Sequence, residues 1–534
     1  MRYCLPAYLL KNLGCEGFIM TKLNILVAED DEKWQSLPNE TLENLSHEVT
    51  VEIAPDYASA LRHIRNQKYD LATVDLSLSG APFVSSDTDL LGMELMREWR
   101  ASNQNQACGL IVLTAYSKNA RIRDALLKYG AFDFIDKVDF DNHKFPDLAR
   151  EAILDARLKY AIKRKQNLFH LTISYNEEYI IGCKIMGPDR TKEYTARHPK
   201  RFETSDLIRR ADTLNLFTLI NGDAGAWRPE AKSIGNDVYK TLSDDPRIMQ
   251  DIKTAQALAG QTKDLWVEFS GPARGLGIPF ELLRDEDDSF CLKHNLTRRL
   301  VQDGFISRKT ESFPELIRRL QISHEIFRLL IVGSNSDGSI PGAEEEARML
   351  VVNIEKDLQT LGITHQITSL IGKDATLENV KDSLRSGSYH IFHYAGHGRF
   401  DDNLPEISGI ILLDEGKPIT VSASDLNLWV KDSNLQFVFL SCCLGARSAQ
   451  QVGRGDFFGT LDALARADIP GVLGYRWTVA DTPALNLAKS FYESLWRTFL
   501  PAGSLLEARN NIASGKSGRD DETWLSPVLL VQNR

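Results

Sequence analysis

Several polar residues follow apolar runs in the first third of the chain, and together they could hold a phosphoryl group. Glu29 and Asp30 follow the run LNILVA, and Asp75 follows LATV. Gathered at one sheet edge, these carboxylates would repel each other and favour Mg²⁺, which prefers oxygen ligands. Thr114 could hydrogen-bond a phosphoryl oxygen, and Lys137 could pair with its charge. Asp75 would then be the nucleophile that accepts the phosphoryl group.

A histidine and two adjacent cysteines follow later apolar runs. His397 lies in the Gly-flanked turn of YHIFHYAGHGRF, and LQFVFLSCC ends in Cys442 and Cys443. A thiolate beside an imidazolium can attack a carbonyl while the imidazolium protonates the leaving amine. A small buried cysteine and a structural histidine are the alternative interpretation. A metal site built from His390, His393 and His397 is disfavoured, because strand alternation sends residues 390 and 393 to opposite faces.

The elements that must position these residues form two α/β patterns. From Leu23 to about Ala161, strand-like runs alternate with helical segments, in the order LNILVA, VTVEIA, YDLATVDL, GLIVLTA and FDFIDK. This alternation predicts a doubly wound parallel sheet with its chemistry at the carboxyl ends of the strands. After about Phe327 a second α/β sheet is predicted from RLLIVGS, SYHIFHYAG, SGIILLD, LQFVFLSCC and GVLGYRWTV.

Residues 21–160 resemble the response-regulator receiver family, because EDD, VDLSLSG, LTAYS and DFIDK occur in the expected order. The resemblance implies a (βα)5 fold with Asp75 as the phosphorylated residue and Phe134 as the switch aromatic. It implies a sensor histidine kinase as phosphoryl donor and allows a homodimer through this domain. The implied Mg²⁺ ligands are Glu29, Asp30, Asp75 and the main-chain carbonyl of Ser77.

Two features depart from the receiver pattern. The loop from Asp75 to Gly92 is longer than usual, and Val138 replaces the proline that commonly follows the lysine. These departures bear on phosphorylation kinetics and partner recognition, not on the acceptor itself. A degenerate receiver that only docks or dimerises is the alternative.

Residues from about 265 to the C-terminus resemble the CHAT peptidases, a caspase-like family. The motifs are GLGIPFELLRD, SIPGAEEEAR, HIFHYAGHG, FVFLSCC, ADIPGVLGYRWTVADTPALNLAKSFYESLW and WLSPVLLV. The family pattern LSxC implies Cys443 as nucleophile, beside His397 as its base. It implies the main-chain amides of Gly398 and Cys443 as oxyanion donors. The motif-poor region 165–325 would be the pseudo-caspase N-terminal half of the same unit.

Composition excludes some classes of protein. A net charge of −10 over 534 residues disfavours a nucleic-acid-binding surface. No apolar run reaches the roughly 20 residues that a membrane-spanning helix needs. Seven scattered cysteines without a CxxC pair support neither a disulfide framework nor a zinc site, which predicts a reducing, cytoplasmic compartment.

The predicted organisation has four parts. Residues 1–20 are expected to be a disordered or mis-assigned extension, 21–160 a receiver domain, 161–325 a linker with the pseudo-caspase half, and 326–534 the caspase-like core. The predicted function is a phosphorylation-regulated cysteine endopeptidase that uses a Cys-His dyad on a protein substrate. By family association, a precursor effector such as a pore-forming protein is a candidate substrate. A non-catalytic receiver-controlled scaffold, and a hydrolase of a non-peptide ester or amide, are the alternatives.

Overall fold

The protein is described by a computed structural model whose elements fall into two compact units. Unit 1 comprises residues 1–157 and 360–362, and unit 2 comprises 158–359 and 363–534. The described residues are 22–43, 45, 48–80, 90–102, 104–115, 119–176, 180–187, 190–195, 204–214, 225–243, 245–259, 265–272, 275, 277–285, 288–301, 309–399, 408–444, 457–477, 479–515 and 522–532. The predicted extension 1–20 lies outside them.

Unit 1 alternates strands and helices along the chain. Its elements are β1 (Leu23–Ala28), α1 (Glu32–Leu42), β2 (Val49–Ala54), α2 (Tyr57–Asn66), β3 (Leu71–Val74), α3 (Leu91–Ala101), β4 (Gly109–Thr114), α4 (Asn119–Leu127), β5 (Asp133–Asp136) and α5 (Phe145–Asn167), which crosses the boundary between the units.

The sheet of unit 1 is parallel, with strand order β2-β1-β3-β4-β5. Every residue of β3 and β4 is buried, as expected for central strands that are covered on both faces. Asp56 caps α2 by accepting a hydrogen bond from the Ser59 amide, which fixes where this helix begins. The order 2-1-3-4-5 brings the carboxyl ends of β1, β3, β4 and β5 to one edge.

Unit 2 carries the remaining elements. They are β6 (Phe169–Tyr175), β7 (Ile180–Gly187), β8 (Arg190–Thr195), α6 (Thr204–Asp212), α7 (Arg228–Ser243), α8 (Pro246–Ala259), β9 (Leu265–Gly271), β10 (Arg284–Asp285), β11 (Asp288–Ser289), α9 (Phe290–Lys293), β12 (Asn295–Leu300), α10 (Phe313–Ser323), β13 (Phe327–Ser334), α11 (Pro341–Thr360), β14 (His365–Ile371), α12 (Leu377–Arg385), β15 (Ile391–Arg399), β16 (Gly409–Asp414), β17 (Lys417–Ser422), α13 (Ala423–Val430), β18 (Phe437–Leu444), α14 (Phe457–Arg466), β19 (Gly471–Tyr475), α15 (Asp481–Thr498), α16 (Pro501–Ala513) and β20 (Pro527–Val531).

One large mixed sheet organises unit 2. Among the described strands its order is β14-β13-β15-β18-β19-β20-β12-β9-β6-β7-β8, with the hairpin β16–β17 attached to β15. Strands β14, β13, β15, β18 and β19 are parallel, and β20 returns antiparallel to β19. Strand β20 also pairs with β12, which joins the two halves of the sheet.

The predicted α/β fold class is confirmed in both units. Strands β6, β7, β8, β9 and β12 join the same sheet as the strands after Phe327, whereas β10 and β11 form a separate two-stranded sheet. No described helix combines the length and apolar character needed to cross a membrane.

Candidate functional site

Three carboxylates meet at the carboxyl edge of the sheet in unit 1. Glu29 follows β1, and Asp75 follows β3; both are buried, whereas Asp30 is exposed. One ligand oxygen from each residue lies within 4.8 Å of the others. Clustered carboxylate oxygens are the donors that Mg²⁺ prefers, so these residues fit that ion.

Lys137 supplies the positive charge in this cluster. Its Nζ lies 2.8 Å from Oε2 of Glu29 and 2.7 Å from Oδ2 of Asp75. Burial raises the pKa of Glu29 to about 7, against the opposing hydrogen bond from Lys137 and with the support of the Asp75 charge. Burial acts to lower the pKa of Lys137, but its hydrogen bonds to Asp75 and Glu29 outweigh that effect and raise the pKa. The ion pairs of Lys137 therefore hold Glu29 and Asp75 together at this edge of the sheet.

The remaining predicted receiver residues follow β3 or lie on β4 and β5. The amide of Ser77 donates to Oδ1 of Asp75 at 3.0 Å. Thr114 is fully buried at the end of β4, and its Cα pairs with Asp136, the residue before Lys137. Phe134 is half-buried in β5 and packs against the core of unit 1. The roles of Ser77 as a metal ligand, Thr114 as a phosphoryl contact and Phe134 as the switch aromatic stay predictions.

Helix α3 packs directly onto the backbone that carries Asp75. A Cβ built on Gly92 would lie 2.2 Å from the carbonyl oxygen of Asp75 and 2.6 Å from Cα of Leu76. Only glycine allows this approach. Part of the long loop noted between Asp75 and Gly92, residues 81–89, lies outside the described residues.

The second site lies in unit 2, where β15 and β18 are parallel neighbours. Their register pairs the Cα of His397 with that of Cys443, and Gly398 with Leu444. His397 is 8 % exposed. The side chain of Cys443 lies outside the described part of the structure, so this pairing rests on the backbone. The strands on which the sequence predicted the histidine and the cysteine are therefore adjacent, with these two residues in register.

An aspartate that the sequence reasoning missed contacts His397. Oδ1 of Asp337, in the turn between β13 and α11, lies 2.9 Å from Nε2 of His397. The hydroxyl and amide of Ser339 both donate to the same Asp337 oxygen, at 2.6 and 3.0 Å. Hydrogen bonds from Ser339, with a smaller contribution from His397, lower the pKa of Asp337 to about 2. Asp337 is thus an ionised partner for the imidazole.

A buried tyrosine supports the backbone around His397, which lies within β15 and not in the predicted turn beyond the strand. The Tyr394 hydroxyl lies 2.8 Å from the carbonyl oxygens of both His397 and Ile411. A Cβ on Gly396 would come within 2.4 Å of that hydroxyl and 2.9 Å of the Ser334 carbonyl oxygen. Glycine at position 396 and tyrosine at 394 therefore fix the path of the backbone before the histidine.

His390, His393 and Cys442 are buried and contact neighbouring protein groups. His390 accepts a hydrogen bond from the Arg328 amide, and burial lowers its pKa to about 4. His393 contacts the buried Glu346 rather than another histidine. Within the described residues, the only cluster with metal-ligand geometry is the acidic one in unit 1. Cys442 is buried in an apolar cluster.

Two family comparisons match this chain. The response regulator receiver domain family matches residues 25–147, and the CHAT domain family matches residues 232–531, more than half of the chain. The chain belongs to the CHAT domain family. Its N-terminal unit carries the receiver domain, so the resemblance recognised in the sequence is confirmed for both parts of this CHAT protein.

Solved structures similar to this CHAT protein are receiver domains. A CheY-like receiver domain protein from Methanospirillum hungatei JF-1 is 22% identical, covers 26% of this chain and 98% of its own, and has a TM-score of 0.22. The receiver domain of a sensor histidine kinase from Pseudomonas aeruginosa PAO1, solved with magnesium in its active site cleft, is 26% identical over 25% of this chain and 98% of its own, with a TM-score of 0.21. A response regulator from Thermotoga maritima is 21% identical, covers 25% of this chain and 98% of its own, and has a TM-score of 0.21.

Proposed function

We propose that this CHAT protein is a cysteine endopeptidase whose activity depends on phosphorylation of Asp75. The observation that carries the proposal is the register of β15 and β18, which pairs His397 with Cys443. In this proposal residues 21–160 form the receiver, 161–325 the linker and pseudo-caspase half, and 326–534 the catalytic core.

The peptidase step uses Cys443 as nucleophile and His397 as base and acid. The imidazole takes the thiol proton, the thiolate attacks the scissile carbonyl, and the imidazolium then protonates the leaving amine. The amides of Gly398 and Cys443 stabilise the oxyanion. Water hydrolyses the resulting thioester and restores the thiol.

Asp337 holds the imidazole during these steps. The Nε2–H of His397 donates a hydrogen bond to the Asp337 carboxylate, which leaves Nδ1 as the basic nitrogen of the neutral ring. When His397 becomes an imidazolium, the negative charge of Asp337 stabilises it. Asp337 acts through His397 and is therefore a positioning residue.

The regulatory step is transfer of a phosphoryl group from a phosphorylated donor, such as a histidine kinase, to a carboxylate oxygen of Asp75. Glu29, Asp30, Asp75 and the carbonyl of Ser77 would hold Mg²⁺, which supplies charge neutralisation for the transferred group when it is bound. Lys137 pairs with the charge of the new acyl phosphate, and Thr114 hydrogen-bonds one of its oxygens. Phosphorylation thus changes which partners Lys137 and Thr114 contact.

The altered contacts of Lys137 and Thr114 shift an equilibrium between two conformations of the receiver, which differ in the rotamer of Phe134. This shift controls the peptidase. A ligand or modification shifts such an equilibrium only by its difference in affinity for the two states. The peptidase rate should therefore differ between the phosphorylated and unphosphorylated forms, with a protein as the substrate.

A thiol-directed probe tests the proposed dyad directly. Wild-type protein and the variants His397→Ala and Cys443→Ala are incubated with iodoacetamide, and modified peptides are quantified by mass spectrometry. Fast labelling of Cys443 that is lost in His397→Ala supports the dyad. Equal labelling of Cys443 in wild type and His397→Ala overturns it and favours a scaffold in which Cys443 is structural.

A further inference from the structure

A buried polar network lies beneath the strands that carry His397 and Cys443. Its centre is Glu346 on α11, which is 3 % exposed. One carboxylate oxygen lies 3.1 Å from the Ser441 hydroxyl on β18, and the other lies 3.1 Å from Nε2 of His393 on β15. Nδ1 of His393 lies 3.2 Å from the Tyr492 hydroxyl on α15. The network therefore joins two neighbouring strands to two helices.

Every polar group in this network has a consistent hydrogen-bond role. The Ser441 hydroxyl donates to Glu346. With its proton on Nε2, the ring of His393 also donates to Glu346 and accepts at Nδ1 from the Tyr492 hydroxyl. Burial raises the pKa of Tyr492 well above its usual value, so this hydroxyl keeps its proton. Pairing each group removes the large cost of burying an unpaired polar atom.

Stability alone gives a weak reason for such a network. Replacement of a buried charged cluster by apolar residues of equal volume is often neutral or stabilising. The surroundings are apolar and aromatic, since Phe439 and Tyr492 both pack against the ring of His393. What the polar network adds is a defined relative position for the elements that it joins.

The joined positions are close to the reacting pair along both strands. Ser441 lies two residues before Cys443, and its Cα pairs with Ala395, two residues before His397. His393 pairs with Phe439 in the same register. We propose that Glu346 is a positioning residue that fixes the ends of β15 and β18 relative to α11, so that His397 and Cys443 meet in reactive geometry. This inference rests on the proposed peptidase function.

The motif that supplies Glu346 also supplies a matched control. Glu345, the preceding residue on α11, is exposed, so Glu345→Gln removes the same charge from the same helical turn. Glu346→Gln keeps the size of the side chain but replaces one of its two accepting oxygens with an NH₂ group. Only one of the two donors, Ser441 and His393, can then find an acceptor there. Ser441→Ala removes only the link to β18.

The test measures the rate of iodoacetamide modification of Cys443, together with kcat and KM on a cleaved peptide, in the full-length protein. Glu346→Gln and Ser441→Ala should each lower the modification rate and kcat by about tenfold, with KM nearly unchanged. Glu345→Gln should match wild type in all three quantities. Thermal unfolding of each variant identifies any loss that comes from unfolding.

The outcomes separate the inference from the proposed function. If wild-type Cys443 reacts in a His397-dependent manner but folded Glu346→Gln and Ser441→Ala react at the wild-type rate, Glu346 is structural only and the inference is wrong. If Glu346→Gln unfolds, the comparison of Ser441→Ala with Ser441→Thr, which retains the hydroxyl, decides the test: Ser441→Thr should react faster than Ser441→Ala, and equal rates overturn the inference. If the modification rate of Cys443 is the same in wild type and His397→Ala, the proposed dyad itself is wrong, whatever the result for Glu346.

Discussion

At the scale of single residues, Asp337 gives His397 a charged partner on the side of the ring that carries Nε2. Because the pKa of Asp337 is lowered to about 2, its carboxylate stays ionised throughout the neutral and mildly acidic pH range. A lowered pKa also means that this group stabilises the fold fully above its unfolded value near 4, and that the contribution is lost as the pH falls through about 2.

Replacement of Asp337 by asparagine should reduce the reactivity of Cys443 without unfolding the chain. Asparagine cannot stabilise the imidazolium, so the thiolate form becomes less favourable and the pH midpoint of Cys443 alkylation should move upward. We expect kcat/KM to fall by about 100-fold, the lower range for general acid–base effects. Alkylation rates measured from pH 5 to 10 check this, with the exposed Asp414→Asn as control. An unchanged midpoint would assign Asp337 to structure alone.

Mg²⁺ binding to unit 1 should be visible through Trp34. Nζ of Lys137 lies 5.4 Å from the centre of the Trp34 ring, so a new charge at the cluster should alter its fluorescence. Glu29→Gln should weaken Mg²⁺ binding by about tenfold or more in a fluorescence titration. The Trp34→Phe variant isolates this signal from the other tryptophans. Equal affinities in wild type and Glu29→Gln would remove Glu29 from the ligand set.

At the scale of elements, each site depends on a close approach that only glycine permits. Helix α3 reaches the Asp75 backbone at Gly92, and strand β15 passes the Tyr394 hydroxyl at Gly396, the residue before His397. Both positions lie within two residues of an element end or a predicted site residue, so a clash there should move the site.

Gly92→Ala should destabilise unit 1 by about 1–3 kcal/mol, the usual cost of overpacking, because the new methyl group meets backbone atoms that cannot rotate away. It should also slow phosphorylation by acetyl phosphate. Gly503→Ala in α16 is the control, since the nearest atom to its new Cβ is 3.8 Å away and alanine favours helix. Calorimetry of both variants checks the prediction; equal unfolding temperatures would contradict it.

The elements also explain what could be predicted from the sequence. Local patterns located β1, β3, β4 and β5 and the strands that end near His397 and Cys443, because apolar period and polar strand ends are local signals. Asp337 was missed because it reaches His397 only through the pairing of β13 with β15, residues far apart in the chain. The junction of β20 with β12 is similarly non-local. Glu346 lay within a quoted motif, but its partners come from other elements.

At the scale of the whole molecule, one chain combines a receiver domain with a CHAT domain. Phosphorylation of a receiver matters to a second domain only if the two states of the receiver differ in their effect on it. The chain offers a direct test, because Asp75 and Cys443 can be changed separately.

Peptidase rates should depend on acetyl phosphate and Mg²⁺ in wild type and not in Asp75→Ala. A change of about fivefold or more corresponds to about 1 kcal/mol of coupling, within the usual range. Initial rates with and without the phosphoryl donor check this. Identical responses in wild type and Asp75→Ala would show that Asp75 does not control the peptidase.

Sequencing the new termini that the protein creates shows whether it is a phosphorylation-dependent peptidase. Wild type and Cys443→Ala, each with and without phosphoryl donor, are incubated with a mixed peptide library, and the termini are identified by mass spectrometry. We expect new termini with wild type, in at least one phosphorylation state, that are absent with Cys443→Ala. No new termini in either state, or the same termini with Cys443→Ala, would contradict it.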